Sequence, residues 1–190
     1  MVVVIAGCSP GIIEYDKNLR VELLLMKEED QKVRRELGRE DHKDAGIEKM
    51  ARELDEKNTA RMKEIVLDNG WPGISLVRQD GSRAAFLLIQ HADSDIEFQK
   101  KCLRLMRKAA KEEEASWMDV AYLTDMVLMG EGKKQLYGTQ FYLGYNDPVP
   151  YPIEDEDSVD ERRSEIGLPS MQEYKQILKK VYTLYDADGQ

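Results

Sequence analysis

The fold turns on Ala84-Ala-Phe-Leu-Leu-Ile-Gln-His-Ala-Asp-Ser-Asp-Ile-Glu-Phe98. Its first half is apolar on every side. A helix with no polar face must be enclosed by neighbours, so the sequence predicts a buried central helix over about Arg83 to His91. His91, Asp93 and Asp95 follow at once, which sets polar chemistry at the tip of the most buried segment.

Ser94 and Glu97 match the capping box, in which the two side chains satisfy each other's free amides. The expected chain break is therefore at Asp93–Ser94. A second helix is expected from Asp95 to about Glu112. Ile96, Leu103, Met106 and Ala110 form one stripe of it; Phe98, Cys102, Leu105 and Ala109 form the next.

Upstream, helical spacing predicts a first helix from Asp16 to about Leu37 and a second from Glu40 to about Asp68. Gly38 and Asn69-Gly70 are their stop signals. Trp71-Pro-Gly73 and Gln79-Asp-Gly81 read as turns. Downstream, the serine–acid pairs Ser116/Asp119, Ser158/Glu161 and Ser170/Glu173 each announce a helix start.

Between Lys134 and Ile153 the pattern changes. Gln135 to Leu143 is rich in β-formers, Gly144 to Asp147 is a turn, and Pro148 to Ile153 is extended and proline-rich, which confines it to a sheet edge. The expected fold is thus mainly α: one bundle of about six to seven helices around the central helix, with one small β-hairpin at about 135–153. Residues 14–185 form the single domain. Residues 1–13 are a tail or a truncated lipoprotein-like signal, and 186–190 a C-terminal tail.

A chain of 190 residues can bury a core without disulfides or metals. A formal net charge of −9, with 34% charged residues, argues against nucleic-acid binding, which needs clustered Lys and Arg. The basic run Lys100, Lys101, Arg104, Arg107 and Lys108 reads as a solvated helix face. Nothing approaches the ~20 apolar residues of a transmembrane segment. There are two cysteines. Cys102 lies within a helical stripe and reads as a buried thiol.

Cys8 ends Ile5-Ala-Gly-Cys8, which resembles the lipobox of bacterial lipoproteins. The basic n-region is missing, and the apolar run is shorter than a signal's h-region. The cytoplasm is the expected location, with an envelope lipoprotein lipidated at Cys8 as the alternative.

His91 is the leading chemical candidate. A neutral imidazole there can act as a general base, with Asp93 orienting its other nitrogen. His42 sits in a solvated polar run and is set aside. Asp95 falls in a helix's first turn, where an acid complements the dipole. A His91-x-Asp93-x-Asp95 site for magnesium or calcium lacks the fuller acidic loop such sites show, so no metal and no cofactor is expected.

Tyr137-Gly-Thr-Gln140 is the second constellation. Glycine in a strand marks a bulge, and a bulge at Gly138 would turn Tyr137 and Gln140 toward the helices as hydrogen-bonding groups. Arg162 and Arg163 could hold a carboxylate or phosphate, or pair with Asp155, Asp157 or Asp160. No Gly-x-Ser-x-Gly, P-loop or Gly-x-Gly-x-x-Gly occurs, which disfavours serine-hydrolase, NTPase and dinucleotide chemistry.

The motifs also occur in an informative order: Asn69-Gly-Trp-Pro72, His91-Ala-Asp93 with Phe98-Gln99, Leu123-Thr-Asp125, Tyr137-Gly-Thr-Gln140, Pro152-Ile-Glu-Asp155, Val159-Asp160 with Arg162-Arg163, and Gly167-Leu-Pro169. Together they resemble one of the numbered domain-of-unknown-function families, common in bacteria as small single-domain proteins. The resemblance covers about Leu19 to Tyr182. It implies His91, Asp93, Gln99, Tyr137 and Gln140 as recurrent polar positions, and some such proteins look exported or lipid-anchored.

The expected function is a polar small-molecule site with hydrolase- or lyase-like acid/base chemistry centred on His91. Asp93 orients it, and Gln99, Tyr137, Gln140 and Arg162 contact the substrate. Two other readings stay open: a non-catalytic module that binds a protein partner, of the immunity type, and an envelope lipoprotein. Neither an enzymatic role nor an oligomeric state follows from the sequence.

Overall fold

A computed structural model of the chain describes residues 14–37, 45–144 and 147–188. The architecture is mainly α with one small hairpin, as expected. Among the described residues there are seven α-helices: α1 Lys17–Leu37, α2 Ala45–Asn69, α3 Ile74–Gln90, α4 Ile96–Lys111, α5 Trp117–Gly130, α6 Val159–Glu165 and α7 Met171–Asp188. Strands β1 Phe141–Leu143 and β2 Pro148–Pro150 precede a 3-10 turn at Glu156–Ser158. No helix among the described residues is long and apolar enough to cross a membrane.

α3 is the centre, touching α1, α2, α4 and α5. Ala84, Ala85, Phe86, Leu88 and Ile89 are all buried, which is why the 84–89 stretch carries no polar face; Ser75, Arg78, Gln79, Asp80 and Arg83, in the first turns, are exposed. Ion pairs fix the register around it. Glu22–Arg61, Glu29–Lys57 and Arg34–Asp55 run α2 antiparallel to α1. Arg20–Asp80 and Asp30–His91 run α3 parallel to α1. Arg83–Asp119 and the Phe86–Tyr122 ring contact do the same for α5 against α3.

Two local expectations are corrected. The turn expected at Gln79–Gly81 is a kink one residue earlier. Arg78 takes φ 63°, ψ 170°, and the helix resumes directly, so α3 starts at Ile74. The bend is tight enough that a side chain on Gly81 would collide with Val77.

The second correction concerns α4. Asp95, not Ser94, is its N-cap; the Asp95 carboxylate accepts the Phe98 amide at 3.0 Å. Of the four serine–acid pairs, Ser170/Glu173 closes the full reciprocal box. Ser116 and Ser158 stand at their N-cap positions without a side-chain cap bond, and Asp119 is drawn away to Arg83.

The hairpin is shorter than its composition suggests. β1 and β2 pair antiparallel over three residues each, with Tyr142 opposite Val149. The preceding segment leaves the ladder because its amides are taken by a buried carboxylate on α5. Gly38, Cys8 and His42 lie outside the described residues.

Candidate functional site

Three polar constellations emerge, and the residues singled out in the sequence fall into two of them.

The first surrounds His91 at the C-terminal end of α3. Nδ1 lies 3.0 Å from Asp30 Oδ1, and the imidazole is 26% exposed while Asp30 is 1% exposed. Its carboxylate partner thus comes from α1. Arg34 Nη2 touches Asp30 Oδ1 at 3.4 Å and also Asp55 Oδ1 on α2. Burial would push the Asp30 carboxyl up, but the hydrogen bond with His91 and the charges of His91 and Arg34 hold it below the ordinary aspartate range. Burial wins at Asp55, whose carboxyl is raised despite Arg34.

Asp93 is exposed and accepts Gln99 Nε2 at 3.3 Å. Gln99 itself is buried; its amide nitrogen reaches the Ile89 carbonyl at 3.1 Å and that of Gln90 at 3.3 Å. It thereby closes the last carbonyls of α3, which a helix end leaves unpaired. Asp95 caps α4 and pairs with Lys63 Nζ at 2.6 Å.

The second constellation is the 135–140 segment. Asp125, fully buried on α5, accepts four hydrogen bonds: the amides of Leu136, Tyr137 and Thr139 and the Thr139 hydroxyl, at 2.7–3.0 Å. From the other side, Arg163 Nη1 donates to the Tyr137 carbonyl at 2.7 Å, and Arg162 Nε to that of Leu136 at 2.9 Å. Arg162 also holds the carbonyls of Glu154 and Asp155. Gln140 is clasped at both backbone groups by buried Gln135. Gly138 sits at φ +61°, where any side chain would meet Ile153 and Met171. Tyr137, Gln140 and Arg162 therefore act here through backbone groups and a guanidinium that organise the loop. Tyr137 is held from α5 and α6, Gln140 by Gln135 within the loop, and Arg162, itself on α6, bonds loop carbonyls, whereas the partner of His91 lies on α1.

The third constellation is a cleft of about 1100 Å³ between the start of α3, the start of α5 and the 168–177 region. Ile74, Ala115, Met118, Leu168 and Ile177 supply apolar walls. Its polar lining includes Ser82, Arg83, Asp119, Tyr122 and Tyr174, with Arg78, Gln79, Asp80 and Ser116 besides. Asp119 is buried against Arg83, whose guanidinium also stacks over Phe86 at 4.8 Å. The Tyr122 hydroxyl donates to that of Tyr174 at 2.9 Å, which in turn donates to the Thr139 carbonyl at 3.3 Å. Ser82 Oγ accepts the Trp71 indole N–H at 3.2 Å, leaving its own proton to donate. The 135–140 loop thus lies directly behind one wall.

The sequence reading did not single out Asp30, Asp55 or Arg83 as site residues, and read Asp119 as a helix-start acid. A usable signal existed for the first two. Asp30 falls in heptad phase with buried Leu23, and Asp55 with buried Met62, so each is an acid on an apolar stripe.

The model of a family of unknown function, DUF6624, matches residues 17–186. The chain therefore belongs to this family, one of the numbered families of unknown function that the sequence resembles. No curated protein matches the chain, and no solved structure does.

Proposed function

We propose that this member of the family binds a polar small molecule in the α3–α5–α7 cleft. One observation carries the reading: a concavity of about 1100 Å³ with apolar walls and a short set of convergent hydrogen-bonding groups. That combination is the usual form of a ligand site. Tyr122 and Ser82 present hydroxyls, and the Arg83–Asp119 pair offers a donor and an acceptor side by side. A ligand carrying both kinds of group fits this floor better than a simple anion, because the charge of Arg83 is already matched by Asp119.

His91 does not line this cleft. The hydrolase- or lyase-like chemistry centred on it would need its own substrate-sized space. Binding is accordingly the role proposed for the cleft, and the His91 cluster is treated separately below. For location, the cytoplasm is proposed, with lipidation at Cys8 as the alternative.

The test is a thermal-shift screen over a panel of polar metabolites. A true ligand at a hundred times its Kd stabilises the fold by about 2.7 kcal/mol. Tyr122→Phe and Ile177→Trp, the latter filling the cleft mouth, are expected to abolish the shift, while Asp93→Asn leaves it intact. A shift that persists in both cleft variants rejects the site.

A further inference from the structure

Three helices deliver Asp30, Asp55 and His91 to one point, and one ligand-capable atom from each lies within 4.8 Å of the others. Donors sharing one first-row ion at ~2.1 Å stand roughly 3.0–3.4 Å apart, so side-chain adjustments of about 1 Å close the set. The place where positive charge belongs is already marked. Arg34 Nη2 sits against both carboxylates, yet its Nε is buried without a partner.

A second, independent feature points to the same spot. Asn58 is 3% exposed, and neither its Nδ2 nor its Oδ1 has a hydrogen-bond partner. It lies on the buried stripe of α2, three residues beyond Asp55 on the same face. The Glu29–Lys57 and Arg34–Asp55 pairs set α2 against α1 so that Asn58 stands level with Asp30. A buried carboxamide is normally fully bonded, because leaving it bare forfeits its hydration for nothing. By that register it lies one helical turn from Asp55, on the same buried face of α2.

We propose that Asp30, Asp55 and His91 bind a divalent first-row transition-metal ion, with the Asn58 carboxamide as an adjacent oxygen donor and Arg34 as the resident cation that withdraws on loading. The donor set selects the ion class. An imidazole beside two carboxylates suits zinc, cobalt or manganese, whereas magnesium and calcium favour all-oxygen shells. Arg34 is partly exposed, so its guanidinium has a path to solvent. Coordination replaces the hydrogen bond between His91 and Asp30, and makes the imidazole a ligand instead of a base. Asp93 and Asp95 take no part: the first is tied to Gln99, the second to Lys63 and the α4 cap.

The experiment uses the full chain, stripped with EDTA and titrated with cobalt(II) or manganese(II) by calorimetry. One ion per chain is expected. Asp55→Asn and His91→Gln should each weaken uptake at least tenfold, Asp93→Asn should not change it, and Arg34→Gln should tighten it severalfold by removing the competitor. Manganese should broaden NMR signals of residues 30, 55, 58 and 91 first. No uptake by the wild type, wild-type affinity in Asp55→Asn and His91→Gln, or broadening centred elsewhere overturns the site. If neither ligand variant folds, Arg34→Gln decides: tighter uptake supports the proposal, and unchanged or weaker uptake overturns it. Cleft binding is read with Tyr122→Phe in metal-free buffer, so either proposal can fall alone.

Discussion

At the scale of single residues, the carboxylate of Asp125 is consumed by the fold. Four donors converge on it, three of them backbone amides of a loop that has no ladder to join. Hydrogen bonds to a charged, buried acceptor are worth more than neutral ones. Asp125→Asn keeps the shape but turns one oxygen into a donor facing other donors. The expected cost is about 3 kcal/mol in urea unfolding, with faster amide exchange at Leu136, Tyr137 and Thr139. An unchanged midpoint would refute this role. The sequence displayed Asp125 within Leu123-Thr-Asp125 but not its purpose, since its partners lie beyond the end of α5. The same blindness hid Asp30. His91 was identifiable as a polar group at a buried helix tip, and nearby Asp93 looked like its orienter. The carboxylate that reaches it is Asp30, 61 residues earlier on α1, a pairing that only tertiary packing creates.

At the scale of elements, periodicity was a good guide, and Ser116, Ser158, Ser170 and Gly130 marked ends that the structure keeps, whereas the starts of α3 and α4 were misplaced. Helices α1 to α5 follow from apolar spacing because each buries one face in the core around α3, whereas α6 and α7 add nothing to that cluster. The start of α4 shows why its boundary slipped. Serine, aspartate and glutamate all suit helix starts, and Ser94 and Asp95 are adjacent, so composition could not rank them. The three-dimensional preference comes from Lys63, which draws the Asp95 carboxylate into place at 2.6 Å. The Lys63 hydrogen bond, followed by the Phe98 amide, holds that carboxyl below its ordinary range. Asp95→Ala should therefore destabilise the protein by about 1 kcal/mol, as cap removal does. Ser94→Ala should stay within about 0.5 kcal/mol. Equal losses in thermal unfolding would mean that the cap is shared. The kink at Arg78 was masked in a similar way: Asp80-Gly81 looked like the turn, whereas the glycine serves the close approach that follows it.

At the scale of the whole molecule, the interior accounts for the inert thiol. Cys102 is fully buried on α4, and burial pushes its pKa up to about 12. A thiol reacts as its thiolate, so this one should be silent at mildly alkaline pH. In a Cys8→Ser background, Ellman's reagent should find no reactive sulfur until denaturant opens the core; prompt reaction in the native protein would contradict the packing described.

The principal apolar cluster draws its buried members from Leu19 to Val127 and takes none from the hairpin, α6 or α7. On a ribosome, chains emerge from the amino end, and their earlier parts can settle first. By the time Asp125 has cleared the exit, every residue of that cluster but one is available. The closing third of the polypeptide then meets a surface that already exists, and the carboxylate waiting there acts as a docking peg for the first loop to arrive.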